Sequence, residues 1–108
     1  HQPIDVGTFL ERFKQNDAKV LDVRSAVQSG PFVAKYGDRW QNIPQEELSA
    51  RIKEVSPNGD TLYLLCGSGP RSYEAQLVLR SKGIDNTCNI MGGVKMLKST
   101  DPDFLPED

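Results

Sequence analysis

The sequence has little of what builds disulfide-stapled, nucleic-acid-binding or membrane-spanning proteins. Its 108 residues include only two cysteines, too few for a disulfide framework, which favours a reducing compartment. The net charge is −2 and no basic run is interleaved with aromatics, so no nucleic acid partner is expected. No apolar run approaches the roughly 20 residues of a membrane-spanning helix, so no membrane partner is expected either. We therefore expect a cytoplasmic protein.

The composition indicates one folded domain. Hydrophobic residues make up 37% of the chain and charged residues 26%, a balance that separates globular domains from disordered segments. We expect a single domain over residues 1–108, with its core at about 4–98 and a C-terminal tail at 99–108. The chain begins with His1 rather than Met, which indicates either an expression scar or a domain excised from a longer chain.

Stretches of strand and helix character alternate along the chain. Short apolar runs bounded by turn residues predict strands, and apolar residues at three- and four-residue spacing predict helices. Predicted strands cover 19–24, 41–43, 61–65 and 86–90, with a short edge strand at 3–4; predicted helices cover 6–15, 45–55, 72–82 and a last short stretch to Lys98. Asp5 is the expected N-cap of the first helix. The alternation predicts an α/β fold, with an open parallel β-sheet of about five strands covered by helices on both faces.

The stretch from Thr61 to Ser72 has the pattern of an anion-binding turn. An apolar strand stops at Cys66, two glycines and a proline follow, and a helix is expected after Arg71 with Ser72 as its cap. Such a turn directs backbone N–H groups and the helix dipole at one point, which favours the nucleophilic thiolate of Cys66. Arg71 adds a guanidinium suited to an oxyanion. The alternative is a buried cysteine before an ordinary turn, and the combined pattern favours a reactive one.

Asp22 and Arg24 lie two residues apart near the end of a predicted strand. Residues at this spacing share one face of a strand, and the carboxyl end of a parallel strand is where ligands bind in open sheets. The pair is a candidate for the site. An ion pair that orients the next loop is favoured over direct catalysis.

Residues 25–40 are predicted to form a loop beside the cysteine that shapes access to it. Pro31 is expected to open a short helical turn, with Phe32, Val33 and Tyr36 packing inward before Gly37 breaks it.

Four motifs occur in an order and spacing that resemble a single-domain rhodanese, over about Ile4 to Lys98. They are Leu21-Asp22-Val23-Arg24, Asn42-Ile43-Pro44, Cys66-Gly67-Ser68-Gly69-Pro70-Arg71-Ser72 and Asn89-Ile90-Met91-Gly92-Gly93. The cysteine loop after an apolar strand is the most specific of them.

The resemblance implies sulfur transfer. In rhodaneses the cysteine matching Cys66 takes sulfane sulfur from a small anionic donor, such as thiosulfate or a persulfide, and becomes a persulfide. A thiol or cyanide acceptor then removes the sulfur. By the same resemblance, the loop formed by Gly67, Ser68, Gly69, Pro70 and Arg71 binds the donor and the persulfide charge.

The resemblance also implies supporting residues and partners. Asp22, Arg24 and Ser72 are expected to support the loop, and neither a metal nor an organic cofactor is needed. The domain is expected either to be free-standing or to act with a thiol/disulfide oxidoreductase, which is fused to it or is a separate partner.

The sequence departs from the usual rhodanese pattern at two places. Tyr36 to Gln41 replace a Gly-His-Ile-Pro-Gly-Ala run, and no aromatic follows Gly92-Gly93, so the rim of the pocket differs. Two other functions stay open: a rhodanese-like cysteine phosphatase or arsenate reductase, and a non-catalytic regulatory rhodanese-like module. The phosphatases and arsenate reductases carry one more loop residue than the four enclosed by Cys66 and Arg71.

Cys88 is expected to be a buried structural residue. It lies early in a predicted parallel strand, whereas Cys66 ends its strand, so the offset exceeds the roughly 7 Å Cα separation that a disulfide tolerates.

Overall fold

The computed structural model describes residues 3–15, 18–55, 61–65 and 70–106, with the backbone alone for 70–73. The helices are α1 (Val6–Gln15), α2 (Ala26–Tyr36), α3 (Gln45–Leu48), α4 (Pro70–Ser81) and α5 (Gly93–Thr100). The strands are β1 (Lys19–Asp22), β2 (Trp40–Asn42), β3 (Leu62–Leu65) and β4 (Thr87–Asn89). Three 3-10 turns complete the described elements, at Gly37–Arg39, Ile52–Glu54 and Pro102–Phe104. No helix of the described ranges has the length and apolar character needed to cross a membrane.

The strands form one parallel sheet in the order β2-β1-β3-β4, which confirms the predicted α/β class. The described sheet has four strands instead of about five. The predicted edge strand at Pro3–Ile4 is reduced to an isolated parallel bridge between Ile4 and Ile90. Among the described residues, two backbone hydrogen bonds hold this bridge, from the Ile4 amide to the Asn89 carbonyl at 2.9 Å and from the Met91 amide to the Ile4 carbonyl at 2.9 Å.

Alternate residues of each strand face opposite sides of the sheet, and each side has its own apolar core. Tyr63 and Leu65 face the side covered by α1, α2 and α5, while Leu62 and Leu64 face the side covered by α3 and α4. The helices contribute buried side chains to both cores, which confirms the prediction that both faces are covered.

Helix α1 forms as its periodicity predicts. Its four apolar residues at helical spacing are all buried, namely Val6, Phe9, Leu10 and Phe13. Asp5 accepts a hydrogen bond from the Thr8 amide at 2.7 Å, the geometry of the predicted N-cap.

The region 25–40 is mostly helical, which corrects the prediction of a loop with one short turn. Ser25 accepts from the Gln28 amide and Gln28 reaches back to Ser25, a capping box that starts α2 five residues before Pro31. Pro31 lies inside the helix. It removes a hydrogen bond to the carbonyl of Val27, a residue 88% exposed, where water can replace the lost donor. Phe32 packs inward as predicted, whereas Val33 is exposed.

Helix α3 is shorter than predicted. The sequence predicts one helix over 45–55, but α3 ends at Leu48 and a separate 3-10 turn follows at Ile52–Glu54. The Arg51 amide donates to both the Glu47 and Leu48 carbonyls, at 3.0 and 3.2 Å, so the chain tightens there.

The turn before α5 requires glycine. Gly92 has φ 81°, a left-handed conformation, and a Cβ added there would lie 2.6 Å from the Cβ of Met96. This explains why the Gly92-Gly93 pair stands at the end of the last strand.

The segment after α5 is packed against α1 and α2. Phe104 is 5% exposed and lies among the rings of Phe9, Phe13, Tyr36 and Trp40. The ammonium group of Lys35 donates to the carbonyls of residues 103, 104 and 105 at 2.7, 3.2 and 3.0 Å, and the Tyr36 hydroxyl donates to the carbonyl of Phe104. The apolar core therefore extends beyond residue 98.

We expect Phe104→Ala to lower the free energy of unfolding by about 3–5 kcal/mol, because it removes a buried ring from the aromatic cluster. Urea unfolding measures this change. Asp103→Ala, at the exposed neighbouring position, is the control and should stay within about 0.5 kcal/mol of the parent chain. Equal stability of the two variants would contradict the packing of this segment.

Candidate functional site

The carboxyl end of β3 carries the candidate cysteine loop. All four residues of β3 are buried, and Cys66 follows directly after Leu65 in the sequence. Cys66, Gly67, Ser68 and Gly69 lie outside the described residues. The described elements provide a strand end before these four residues and a helix start after them.

Helix α4 begins at Pro70, two residues earlier than predicted. Proline suits the first helical position because its missing N–H would have no partner there. Arg71 and Ser72 therefore lie in the first turn, so Ser72 is not the N-cap that the sequence predicts. The side chains of Pro70, Arg71 and Ser72 lie outside the description.

Asp22 and Arg24 form the ion pair that their spacing suggests. Asp22 is 0% exposed and Arg24 6%. The Arg24 Nε donates to Asp22 Oδ1 at 2.9 Å, Nη2 donates to Oδ2 at 2.7 Å, and the Arg24 amide donates to Oδ1 at 3.1 Å. This bidentate geometry is the strong form of a carboxylate–guanidinium contact.

Two aromatic residues complete the surroundings of this pair. The Trp40 indole Nε1 donates to Asp22 Oδ2 at 3.0 Å, so the carboxylate accepts four hydrogen bonds. The guanidinium carbon of Arg24 lies 4.8 Å from the centre of the Phe32 ring. A carboxylate with its acceptor positions filled is poorly placed to take a proton from a substrate, which favours a structural role for Asp22.

The sequence analysis does not identify Trp40 as a partner of Asp22, although the sequence carries one signal for this bond. A fully buried indole needs an acceptor for its N–H, and Asp22 is a carboxylate at the end of the neighbouring strand.

Backbone and amide hydrogen bonds connect the end of β1 to the strands beside it. The Val23 amide donates to the carbonyl of Leu65 at 3.0 Å. The Asn42 side-chain amide donates to the carbonyls of Asp22 and Arg24, both at 2.9 Å. The Asp22–Arg24 segment is thus attached to the last residue before Cys66.

Three buried polar atoms have no hydrogen-bond partner within the described ranges: Ser29 Oγ, Gln45 Oε1 and Asn89 Oδ1. Ser29 lies near the start of α2, Gln45 opens α3, and Asn89 ends β4. Gln45 follows β2 and Asn89 ends β4, so these two residues lie at the carboxyl ends of the strands, where β3 leads into Cys66. Gln45 also donates through Nε2 to Glu74 of α4.

Cys88 lies away from the carboxyl ends of the strands. It pairs with Tyr63, the second residue of β3, whereas Leu65 is the last. Cys88 is partly exposed, which corrects the expectation that it is buried. Its register supports the expectation that it is remote from the cysteine loop.

A surface cavity of about 570 Å³ lies along β2, the edge strand of the sheet. Its lining includes all three residues of β2 together with Lys19 and Leu62, the first residues of β1 and β3.

Removing the Asp22 carboxylate should strongly destabilise the chain. We expect Asp22→Ala to lower the free energy of unfolding by about 3–5 kcal/mol, because the buried Arg24 charge then lacks its partner. The double variant Asp22→Leu/Arg24→Met should recover part of this loss, since it leaves no unpaired charge.

Urea unfolding of these variants is compared with that of Glu47→Ala, which breaks a 2.9 Å ion pair between Glu47 and Arg51, whose side chains are 50% and 35% exposed. That control should change stability little, since water replaces the lost contact. An Asp22→Ala variant as stable as the control would contradict the burial of the charge.

Comparison with known proteins places the chain in a family. The rhodanese-like domain profile matches residues 5–100. YrkF of Bacillus subtilis strain 168, which is named as a sulfur carrier protein, is 29% identical to this chain over 91 residues. The match covers 80% of this chain and 47% of YrkF, so the chain spans about half the length of that relative.

Two solved structures have the same fold. The NAD-dependent persulfide reductase of A. fulgidus is 27% identical, with a TM-score of 0.67, over 88% of this chain and 15% of the larger one. The human single-domain sulfurtransferase TSTD1 is 19% identical, with a TM-score of 0.72, over 92% of this chain and 96% of its own. With a parallel sheet, a cysteine that follows β3 and a family match over 5–100, the chain belongs to the rhodanese-like domain family.

Proposed function

We propose that this chain is a sulfurtransferase that moves sulfane sulfur from a donor to a thiophilic acceptor through a persulfide on Cys66. The observation that carries the proposal is the place of Cys66 in the chain. It follows the buried strand β3 and precedes α4 by four positions, within a rhodanese-like domain. The names of YrkF and of the persulfide reductase support sulfur as the transferred group.

The first half-reaction forms the persulfide. The Cys66 thiolate attacks the sulfane sulfur of thiosulfate, a new S–S bond forms at Cys66, and sulfite leaves with the electron pair of the broken bond. Helix α4 supports this step because its twelve residues direct a dipole with a positive amino-terminal end toward the preceding loop. Arg71, in the first turn, adds a positive charge for the anionic donor.

The second half-reaction returns the enzyme to its thiolate form. A thiolate or cyanide attacks the outer sulfur of the persulfide, and the Cys66 thiolate leaves with its electron pair. In this scheme the loop amides of Gly67 to Arg71 hold the donor and the persulfide charge. Asp22 and Arg24 take no part in bond making, and hold the end of β1 against Leu65.

The proposed setting is a thiol pathway in the cytoplasm. This chain matches 47% of YrkF and 15% of the persulfide reductase. We therefore place this chain beside, or fused to, a thiol/disulfide oxidoreductase that supplies or consumes the persulfide sulfur.

Mixing the reduced chain with thiosulfate, polysulfide or glutathione persulfide should add the mass of one sulfur atom, and cyanide or a small thiol should remove it. Intact-mass spectrometry measures both steps. Cys66→Ala should abolish the adduct, because it removes the nucleophile. Cys88→Ala is the matched control and should keep full transfer, since Cys88 stands opposite Tyr63 and away from the strand end.

Arg71→Ala should raise the KM for thiosulfate without unfolding the chain, because it removes positive charge from the first turn of α4. If all three donors leave folded Cys66 unmodified, or if the adduct forms on Cys88, the proposal is wrong.

We expect negligible hydrolysis of aryl phosphates. Cys66 and Arg71 enclose four residues, one fewer than in the related phosphatases, so we expect the shorter loop not to accommodate a phosphoryl group bonded to Cys66. Release of p-nitrophenol from p-nitrophenyl phosphate measures this activity, with Cys66→Ala as the blank. Cys66-dependent phosphate release as fast as sulfur transfer would favour the phosphatase alternative.

A further inference from the structure

A buried polar network joins helix α4 to strand β4. Gln76, Thr87 and Asn89 are 4%, 1% and 9% exposed. Gln76 Nε2 donates to Thr87 Oγ1 at 3.0 Å and, more weakly, to the Thr87 carbonyl at 3.4 Å. Asn89 Nδ2 donates to Gln76 Oε1 at 3.1 Å. The side-chain amide of Gln76 is therefore held at both ends by residues two apart on one face of β4.

This network fixes the position of α4 along its own axis. The apolar contacts of Ala75 and Leu79 hold the helix against the sheet, but such contacts have little directional preference. Hydrogen bonds at both ends of Gln76 are directional, and a shift of α4 by one turn, about 5.4 Å, would break them all. Where α4 begins relative to the end of β3 thus depends on this amide.

Asn89 has a feature that stability alone does not explain. Its Oδ1 is buried and has no hydrogen-bond partner among the residues that the structure describes. An unpaired buried acceptor is unfavourable, and an apolar residue would avoid it. Asn89 pairs with Leu64, one residue before the end of β3, so it lies nearer the candidate site than Thr87, which pairs with Leu62.

We propose that Asn89 is a positioning residue that sets, through Gln76, the place of the first turn of α4 beside the carboxyl end of β3. This inference rests on the proposed function of Cys66, because that turn carries Arg71 and the positive end of the helix dipole. The role of Asn89 is to keep this positive potential at the distance from Cys66 that favours its thiolate.

The test measures the reactivity of Cys66 as a function of pH. In a Cys88→Ala background only Cys66 reacts with iodoacetamide. Asn89→Ala and Gln76→Ala should each slow alkylation about threefold at neutral pH and shift the profile to higher pH, because the helix end is no longer held in place. The other ionisable side chains that the described elements place at the carboxyl ends of the strands are Asp22, Arg24 and Glu74. The variants leave all three unchanged.

The matched control is Thr87→Val. It removes the hydroxyl bond to Gln76 and keeps both the weaker bond to the Thr87 carbonyl and the Asn89–Gln76 bond, so the alkylation profile should shift less than in either Asn89 variant. Threonine is favourable in a strand and its side chain is shorter than that of asparagine. Asn89→Thr therefore provides a second variant without the Asn89–Gln76 bond, should Asn89→Ala fail to fold. Circular dichroism and urea unfolding establish that each variant is folded.

A double-mutant cycle separates positioning from general loosening. If Asn89 acts through Gln76, the double alanine variant slows alkylation no more than either single variant. An unchanged profile for both Asn89 variants, an equal shift for Thr87→Val, or additive effects would each overturn the proposal. Alkylation of Cys66 does not require sulfur transfer. If the chain fails the persulfide assay but shows the non-additive shift in alkylation, the sulfurtransferase function is wrong and the positioning role of Asn89 stands.

Discussion

The arrangement of the carboxyl ends of the strands depends on one constraint, the buried charge of Asp22. A carboxylate removed from water needs compensating donors, and here it receives them from the Arg24 side chain and amide and from the Trp40 indole. These donors come from different parts of the chain. The last residue of β1, the segment after it and the first residue of β2 are therefore held in one arrangement.

This arrangement continues into the strand that precedes Cys66. The Val23 amide bonds to the carbonyl of Leu65, while Asn42 bonds to the carbonyls on both sides of Val23. On the other side of β3, the amide of Gln76 links α4 to the end of β4. The strand end and the helix start that flank the cysteine loop are thus attached to the sheet by directional hydrogen bonds, as a site of defined geometry requires.

The predictable elements were those whose signal is local. Helix α1 follows from the spacing of Phe9 and Phe13 and from its Asp5 cap, and β3 follows from one short apolar run. Helix α2 differs from the prediction because Pro31 was expected to open a short turn, whereas the capping box at Ser25 starts the helix five residues earlier. In the folded chain the carbonyl that loses its partner belongs to exposed Val27, so proline is tolerated within the helix.

The sequence alone determined the α/β class, the family resemblance and the candidate nucleophile Cys66, because each depends on residue type and on short-range order. It also placed Asp22 and Arg24 on one face, since strand geometry has a period of two. Only the tertiary structure decided what those residues contact. The Trp40 bond to Asp22, the packing of Phe104 and the network of Gln76 with Asn89 join residues that lie 13 to 95 positions apart. Such pairings arise from how the helices pack on the sheet, and no periodicity in the chain encodes them.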